Sequence, residues 1–319
     1  MRSAVSSDGV HWTPEAGIRC VRPVCFGQPA IVALPTGGWR FFMNDDVGIY
    51  SAVTHDGLTF AREPGLRLRF SAFHTNPGWH FTGCHIVKTK EGVWRMYFGD
   101  TFGNNYVPTP LTQIYSANSE NLLDWTVDPG VRTQGVAHPF VWLRPDGSYQ
   151  MFASALGQAD LDAQTLYTAT SPDGLTWSDL AATGLIGGDP VAFQLADGKL
   201  RLYYNDIRLM PTILSGFYSA QMVDAPWGVS VDRQTPKIGA SIIHITVQVM
   251  GRASAITVQA VDRARGHTVP IAGLPYAGTA PFQVNFDMPN SSDQLIEVTD
   301  GTIARLFLPY GPSTADSPA

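Results

Sequence analysis

The chain has 319 residues, a formal net charge of −6 and only 15% charged residues. A weakly acidic chain without a lysine/arginine cluster does not suit nucleic acid or an anionic membrane surface, so neither is expected as a partner. No apolar run reaches the roughly 18 residues of a membrane-spanning helix. With 31 glycines, 23 prolines and 44% hydrophobic residues, the composition is typical of a turn-dense, strand-rich globular protein.

The first predicted element is a hairpin whose sequence recurs along the chain. It appears at Arg2–Trp12 and returns at Tyr50–Phe60, Tyr115–Trp125, Tyr167–Trp177 and, most weakly, Tyr218–Trp227. The closing aromatic residues are 48, 65, 52 and 50 residues apart. A repeat of about 50 residues with strand-rich content predicts a propeller or a related repeat array.

A second recurring sequence motif lies between copies of the first. It occupies Pro29–Asn44, Cys84–Phe98, His138–Phe152 and Asp189–Tyr204, and each copy is an apolar run, a glycine-containing turn and an aromatic run. This pattern predicts two paired strands. One copy of each motif makes a four-stranded antiparallel blade. Residues 1–235 are therefore predicted to form a five-bladed β-propeller.

The N-terminus starts in the middle of this pattern, because two strands should precede Arg2–Trp12. Either a first segment is missing or the C-terminal strands Leu295–Leu308 close the ring; the first alternative is favoured. A lost leader would make the protein extracellular or periplasmic, and it would otherwise be cytoplasmic. Cys20, Cys25 and Cys84 allow at most one disulfide, and free thiols are the favoured reading.

After the fifth hairpin the repeated motifs end and the sequence pattern changes. Short apolar or alternating runs follow one another, separated by turn sequences such as Pro289–Asp293 and Asp300-Gly301. Five or six short strands in about 75 residues predict a small immunoglobulin-like β-sandwich over residues 236–319.

The repeated phrases resemble the five-bladed propeller glycosidases, a group that includes glycoside hydrolase family 43, the invertases and the levansucrases. The resemblance rests on the polar residue before proline, the Asp-Gly-x-x-Arg-x-Tyr-Tyr hairpin and the Tyr-Ser-Ala-x-Ser-x-Asp-Gly-x-x-Trp hairpin, and it covers about residues 1–230. It implies carboxylates at the inner ends of successive blades: one activates water or attacks, and one acts as an acid.

The equivalent inner-strand positions here are Gln28, Cys84-His85, His138 and Asp189. Asp189, His138 and His85 are the predicted catalytic residues, acting as an acid/base set near neutral pH, and Gln28 is predicted to contact substrate. Two alternatives remain. These side chains could line a wet central channel, or they could hold a divalent metal such as calcium; no cofactor is otherwise expected.

Further candidates surround this centre. Asp45, Asp100 and Asp206 each follow the second strand of a blade, and they could form a carboxylate rim or simply end their strands. Trp79, in the histidine-rich loop His74–His85, could stack on a sugar ring or anchor its loop.

The sequence therefore predicts a carbohydrate-active propeller, a glycoside hydrolase acting on a furanoside or related glycan. The competing hypotheses are a non-catalytic glycan-binding module and a propeller recruited to another reaction through its histidines. The glutamates favour these alternatives, because all of them lie in turns or connections: Glu15, Glu63, Glu91, Glu120 and Glu297.

Overall fold

A computed structural model describes residues 2–19, 29–45, 47–72, 79–102, 112–156, 164–195, 200–205, 217–221, 227–234, 242–262, 266–289, 294–302 and 304–307. These residues form an all-β protein with one short 3-10 helix at Phe70–Ala72. No helix in this described part is long and apolar enough to cross a bilayer.

The strands of the first two-thirds follow the repeats seen in the sequence. They are β1 (Ala4–Val5), β2 (Thr13–Pro14), β3 (Ala30–Ala33), β4 (Trp39–Asn44), β5 (Gly48–Thr54), β6 (Ala61–Arg62), β7 (Leu68–Arg69), β8 (Trp79–Lys88), β9 (Trp94–Phe102), β10 (Gln113–Ser119), β11 (Thr126–Val127), β12 (Thr133–Gln134), β13 (Ala137–Leu143), β14 (Tyr149–Leu156), β15 (Gln164–Ser171), β16 (Ala181–Ile186), β17 (Gly188–Gln194), β18 (Leu200–Asn205) and β19 (Phe217–Gln221).

These strands pair in chain order. The sheets run β1-β2, β3-β4-β5-β6, β8-β9-β10-β11, β13-β14-β15-β16 and β17-β18-β19, with β7 on β5 and β12 on β10. Three of the predicted glycine turns lie in the described part of the chain, and there the backbone needs glycine: Gly38, Gly92 and Gly147 have φ angles of 78°, 86° and 84°. The fourth turn, with Gly198, lies outside the described residues.

Aromatic residues at the ends of the repeated hairpins pack against second strands. Phe60 meets Phe41 edge-on with 4.7 Å between ring centroids, Trp125 meets Phe42 at 5.9 Å, and Trp177 meets Tyr97 at 5.8 Å. These contacts cover the apolar faces of the sheets, as expected for repeats that bury their surface only against neighbours.

The remaining strands are β20 (Trp227–Gln234), β21 (Ile242–Gly251), β22 (Ile256–Asp262), β23 (Thr268–Val269), β24 (Tyr276–Gly278), β25 (Phe282–Pro289), β26 (Gln294–Thr299) and β27 (Ala304–Phe307). They form the sheets β20-β21-β25 and β23-β22-β26-β27, with β24 on β22. One hydrophobic core unites both sheets, and its buried members run from Trp227 to Val298.

One expectation and one alternative about this segment differ from the structure. Trp227 was expected on the outer strand of a fifth blade, but it begins β20, which pairs with β21 from Trp227↔Gly251 to Gln234↔His244. The reason is its fit to this core, where Trp227 is 2% exposed and donates its indole N–H to Asp300 at 2.8 Å. The less favoured alternative for the N-terminus placed Leu295–Leu308 against the first hairpin, but the strands of that segment, β26 and β27, pair with β22 and with each other.

The chain divides into two compact units. The first comprises Met1–Leu156, Tyr167–Leu180 and Gly188–Ala192, and the second comprises Gly157–Leu166, Ala181–Gly187 and Phe193–Ala319. All residues of the site described next belong to the first unit.

Candidate functional site

The structure brings His138 and Asp189 into direct contact. His138 lies near the start of β13 and Asp189 near the start of β17, and in both cases proline follows. The imidazole Nδ1 lies 3.1 Å from a carboxylate oxygen of Asp189, and the two side chains are 11% and 31% exposed.

The backbone at both residues has an uncommon conformation. His138 has φ 56° and Asp189 has φ 52°, in the left-handed region that side chains with a Cβ seldom adopt. At His138 this accompanies a β-bulge, because the β13–β14 register shifts between Ala137 and Phe140. Strained backbone of this kind clusters at functional sites, where surrounding structure holds it in place.

The same position in the preceding repeat is a glycine. Gly83 and His138 stand at the same distance before Thr89 and Arg144, which open the two corresponding hairpin turns. Gly83 also has a positive φ, 129°, and β8 also shifts register between Phe81 and Cys84. The sequence comparison had set Cys84-His85 opposite His138, and the observed register corrects this: Gly83 takes that place, without a side chain.

Ser154 on β14 is a third member of the site, and sequence reasoning missed it. Its hydroxyl lies 3.2 Å from His138 Nδ1 and donates to the Ala137 carbonyl at 3.4 Å. Ser154 is fully buried. The only sequence signal is its place opposite Ala137 in the β13–β14 register, which needs the strand pairing to be known.

These contacts define the hydrogen-bonding state of His138. Nδ1 faces both the Asp189 carboxylate and the Ser154 oxygen, so the tautomer that suits both neighbours has its proton on Nδ1 and leaves Nε2 as an acceptor. Burial lowers the pKa of His138 below its ordinary value, and the neighbouring Asp189 charge opposes this only in part. A neutral imidazole with an available Nε2 can accept a proton or bind a hydroxyl group.

His85 has a different set of partners. Its Nδ1 accepts a hydrogen bond from the Val141 N–H at 3.2 Å, and its ring packs on Phe140 with 4.2 Å between centroids. Burial lowers the pKa of His85 to about 4. These contacts join β8 to β13, so His85 helps to hold the strand that carries His138.

The predicted carboxylate rim has two described members, and both are bound to backbone. Asp45 accepts from the N–H groups of Val47 and Gly48 at 2.9 and 3.0 Å, so it supports the β4–β5 turn. Asp100 is fully buried and accepts from the Gln113 N–H at 2.6 Å. Burial raises the pKa of Asp100 to about 6.

Most of the remaining candidate side chains and cysteines lie outside the described residues. Gln28 and Asp206 are not described, and neither are Cys20 and Cys25. Trp79 begins β8, opposite Phe102, but its side chain is not described. Cys84 is a free, buried cysteine, and burial raises the pKa of its thiol to about 12.

The site contains few groups suited to a metal ion. Among the described residues, no group of three or more histidine, cysteine or acidic side chains is close enough to hold one. His138 and Asp189 offer one nitrogen and one carboxylate, which suits proton transfer and hydroxyl binding.

Comparison with known proteins gives likeness in fold. No protein-family model matches the chain, and no curated protein matches its sequence. Among solved structures, it is similar to the endo-arabinase from Bacteroides thetaiotaomicron, with TM-score 0.54, 17% identity, and 70% of this chain and 86% of that chain covered.

Two further structures are similar. One is described as a glycoside hydrolase, with TM-score 0.54, 13% identity, and 70% and 78% coverage. The other is the α-L-arabinofuranosidase CtGH43 from Clostridium thermocellum, with TM-score 0.50, 12% identity, and 66% and 72% coverage. The resemblance to the propeller glycoside hydrolases is thereby confirmed at the level of fold.

Proposed function

We propose that this protein is a carbohydrate-active five-bladed propeller with an immunoglobulin-like β-sandwich after it, and that it hydrolyses a furanoside or related glycan. The observation that carries the proposal is the contact between His138 and Asp189, two residues in left-handed backbone at the starts of strands. The likeness in fold to an endo-arabinase and an arabinofuranosidase supports the choice of substrate class.

In this proposal His138 and Asp189 work as one acid/base unit. Asp189 and Ser154 hold the proton on Nδ1, so Nε2 of neutral His138 accepts a proton from the water that attacks the anomeric carbon. The bond from that carbon to the aglycone oxygen breaks, and the departing aryloxide of the test substrates takes its proton from solvent. The exposed part of the Asp189 carboxylate stabilises the positive charge that develops on the sugar ring. His85 acts through the strand it supports and is a positioning residue.

The test is hydrolysis of aryl arabinofuranosides, xylosides and fructosides. We expect Asp189→Asn and His138→Ala to lower kcat/KM by roughly 10²- to 10⁴-fold, because each removes half of the proton-transfer unit. Asp146→Asn is the matched control, since Asp146 lies in the exposed β13–β14 turn and accepts hydrogen bonds from Ser148. Unchanged turnover in both site variants would exclude His138 and Asp189 as the catalytic pair, and no turnover of any of the three substrate types by the wild-type protein would exclude the hydrolase function.

The pH profile gives an independent check. The base must be neutral, so kcat/KM should fall as the pH drops through the pKa of His138, which burial places below about 6.5. A limb that persists in the His138→Ala variant would assign the titration to another group.

A glycan-binding module without turnover is the second candidate. It is favoured by the site itself, where Asp189 is the one carboxylate in contact with His138 among the described residues, whereas glycoside hydrolysis ordinarily uses two. Calorimetric titration with arabino-oligosaccharides separates the cases. A binder retains affinity without turnover, and Asp189→Asn weakens that affinity.

A further inference from the structure

The outer strands of the sheet β3-β4-β5-β6 form a cavity at the surface. It has a volume of about 410 Å³ and follows the loop between β6 and β7. Its lining consists of six residues, all within the described part of the chain: Arg62, Glu63, Pro64, Gly65, Leu66 and Arg69. This volume falls in the range of roughly 300–1,000 Å³ that small-molecule sites occupy.

Strand pairing puts both arginines of the cavity on one face of the sheet. Arg62 lies opposite Ala52 and Arg69 lies opposite Gly48 on β5. Directly paired residues share a face, and so do residues two apart along a strand. The arginines therefore flank Tyr50. Their Cα atoms are separated by roughly 13 Å along the strand, a span that two arginine side chains can close around a shared ligand.

Both guanidinium groups at the cavity lack an acidic partner. Arg62 lies over Tyr50, with its Cζ 4.2 Å from the ring centroid. This contact uses the flat side of the guanidinium and leaves its N–H donors available. Across the part of the chain that the structure describes, neither Arg62 nor Arg69 forms an ion pair, and both are exposed. Two positive charges therefore face the cavity without an acid bound to them.

Glu63 also lines the cavity, but its carboxylate is already engaged. Arg40 makes two 2.8 Å hydrogen bonds to it, and Ser51 donates to it at 2.6 Å. The charges of Glu63 and Arg40 offset each other, so the cavity keeps the positive charge of Arg62 and Arg69. An anion is the ligand that suits such a cavity.

The next sheet has the same loop without these arginines. Asp128–Arg132 repeats the acid-Pro-Gly-apolar-Arg sequence of Glu63–Arg67, and the glycines of the two loops have φ angles of 82° and 78°. The strand register places Val127 and Gln134 where the first loop has its two arginines. The loop is therefore part of the repeat, whereas the guanidinium pair is an addition that the fold does not need.

The second loop also shows that this place in the repeat is at the surface. The sheet β3-β4-β5-β6 packs against the sheet that carries this loop. Even so, four residues of the loop region are exposed: Pro129, Gly130, Val131 and Gln134. Loops at this position therefore face solvent even beside a neighbouring sheet.

We propose that this cavity, named here the two-arginine pocket, binds the carboxylate of an acidic sugar. Arg62 and Arg69 present planar N–H donors that bind a carboxylate through paired, charge-assisted hydrogen bonds. Pro64 and Leu66 provide apolar surface for the ring carbon atoms of the same sugar. The choice of a sugar acid rests on the proposed function in glycan chemistry, whereas the anion site rests on the two arginines.

The test is an NMR titration of isotope-labelled protein with glucuronate, glucose or sodium sulfate. Glucuronate should shift the side-chain Nε–H signals of Arg62 and Arg69 saturably, together with the Gly65 amide. Glucose should leave them unshifted, because it has a similar ring without the charge. Sulfate has no ring to cover Pro64 and Leu66, so it should bind at least about tenfold more weakly, which corresponds to about 1.4 kcal/mol.

Variants that carry the residues of the second loop remove the charges and keep the fold. Arg62→Val and Arg69→Gln should each weaken glucuronate binding at least about tenfold. The double variant should lose binding, with an unchanged circular dichroism spectrum. Arg252→Gln is the matched control, because it removes one exposed positive charge from the β21–β22 turn, and it should bind glucuronate as the wild type does.

Binding is measured without turnover, so this result and the hydrolysis assays of the proposed function succeed or fail separately. The proposal is wrong if glucuronate leaves both Nε–H signals unshifted, or if glucose or sulfate binds as tightly. It is also wrong if the double variant binds glucuronate like the wild type. Self-association of the double variant, without glucuronate binding by the wild type, would instead assign the arginines to protection of the strand edge.

Discussion

His138 combines a demanding backbone conformation with a polar side chain. A left-handed backbone costs roughly 1–2 kcal/mol for a residue with a Cβ and almost nothing for glycine. Gly83, at the equivalent place in the preceding repeat, avoids that cost, so the imidazole at position 138 stands where the backbone favours glycine. Side chains held in such a backbone cluster at functional sites.

The strain at His138 can be measured by comparing two substitutions. Both His138→Gly and His138→Ala remove the imidazole, so they differ only in the Cβ. Because φ is 56° here, the glycine variant should be more stable than the alanine variant by about 1 kcal/mol, the reverse of the usual order in a strand. Urea unfolding at constant m-value gives this difference.

Ser154 provides the control, because it lies in β14 and has no positive φ. There the ordinary order should hold, with Ser154→Ala more stable than Ser154→Gly by about 0.5–1 kcal/mol. If alanine were also the better residue at position 138, the backbone there would be unstrained.

Within a sheet, the serine–acid–arginine contact ties three strands together. Arg40 on β4, Ser51 on β5 and Glu63 after β6 meet in one group, and the arginine and glutamate side chains are only 12% and 19% exposed. Burial alone would raise the pKa of Glu63, yet its pKa is lowered, because hydrogen bonds from Arg40 and Ser51 outweigh that effect. The pair therefore stabilises the sheet in its charged form.

A double-mutant cycle measures this contact. Arg40→Gln and Glu63→Gln should each destabilise the protein, and the double variant should lose less than their sum, with a coupling energy of about 1–3 kcal/mol. The coupling should disappear as the pH falls through the lowered pKa of Glu63, since protonation removes the charge from the acid. The exposed pair His11–Asp8 is the comparison, and there the coupling should be much smaller, because solvent screens both side chains. Equal coupling in the two pairs would show that partial burial adds nothing at Arg40–Glu63.

Across the whole molecule, the core that begins at Trp227 is continuous to Val298. All its buried members lie between Trp227 and Val298, so this stretch has a hydrophobic core of its own. The expected boundary at residues 235/236 would cut β20 from this core, together with the buried side chains of Trp227 and Val231.

The consequence can be tested with two fragments. A fragment of residues 225–308 should fold cooperatively, whereas one of residues 236–319 should be destabilised by several kcal/mol or unfolded, because losing a buried tryptophan alone costs about 3–5 kcal/mol. Circular dichroism and thermal unfolding compare them. Equal stability would show that β20 contributes nothing to this core and that the boundary lies at 235/236.

The sequence by itself determined the local elements. Alternating apolar residues and glycine-containing turns are short-range signals, so the repeated hairpins, their order and the all-β class follow from the residues, and the repeats bring the resemblance to the propeller glycosidases. The proline after His138 and after Asp189 also marked these two positions as equivalent.

Only the tertiary structure decided which side chains meet. A register shift of one residue changes the residue at a given place, so Gly83 rather than His85 corresponds to His138, and His85 is bound to the Val141 N–H instead. Ser154 joined the site through strand pairing, and Trp227 joined a different core because its indole fits there. Such contacts join residues far apart in the chain, and the local pattern of the sequence does not encode them.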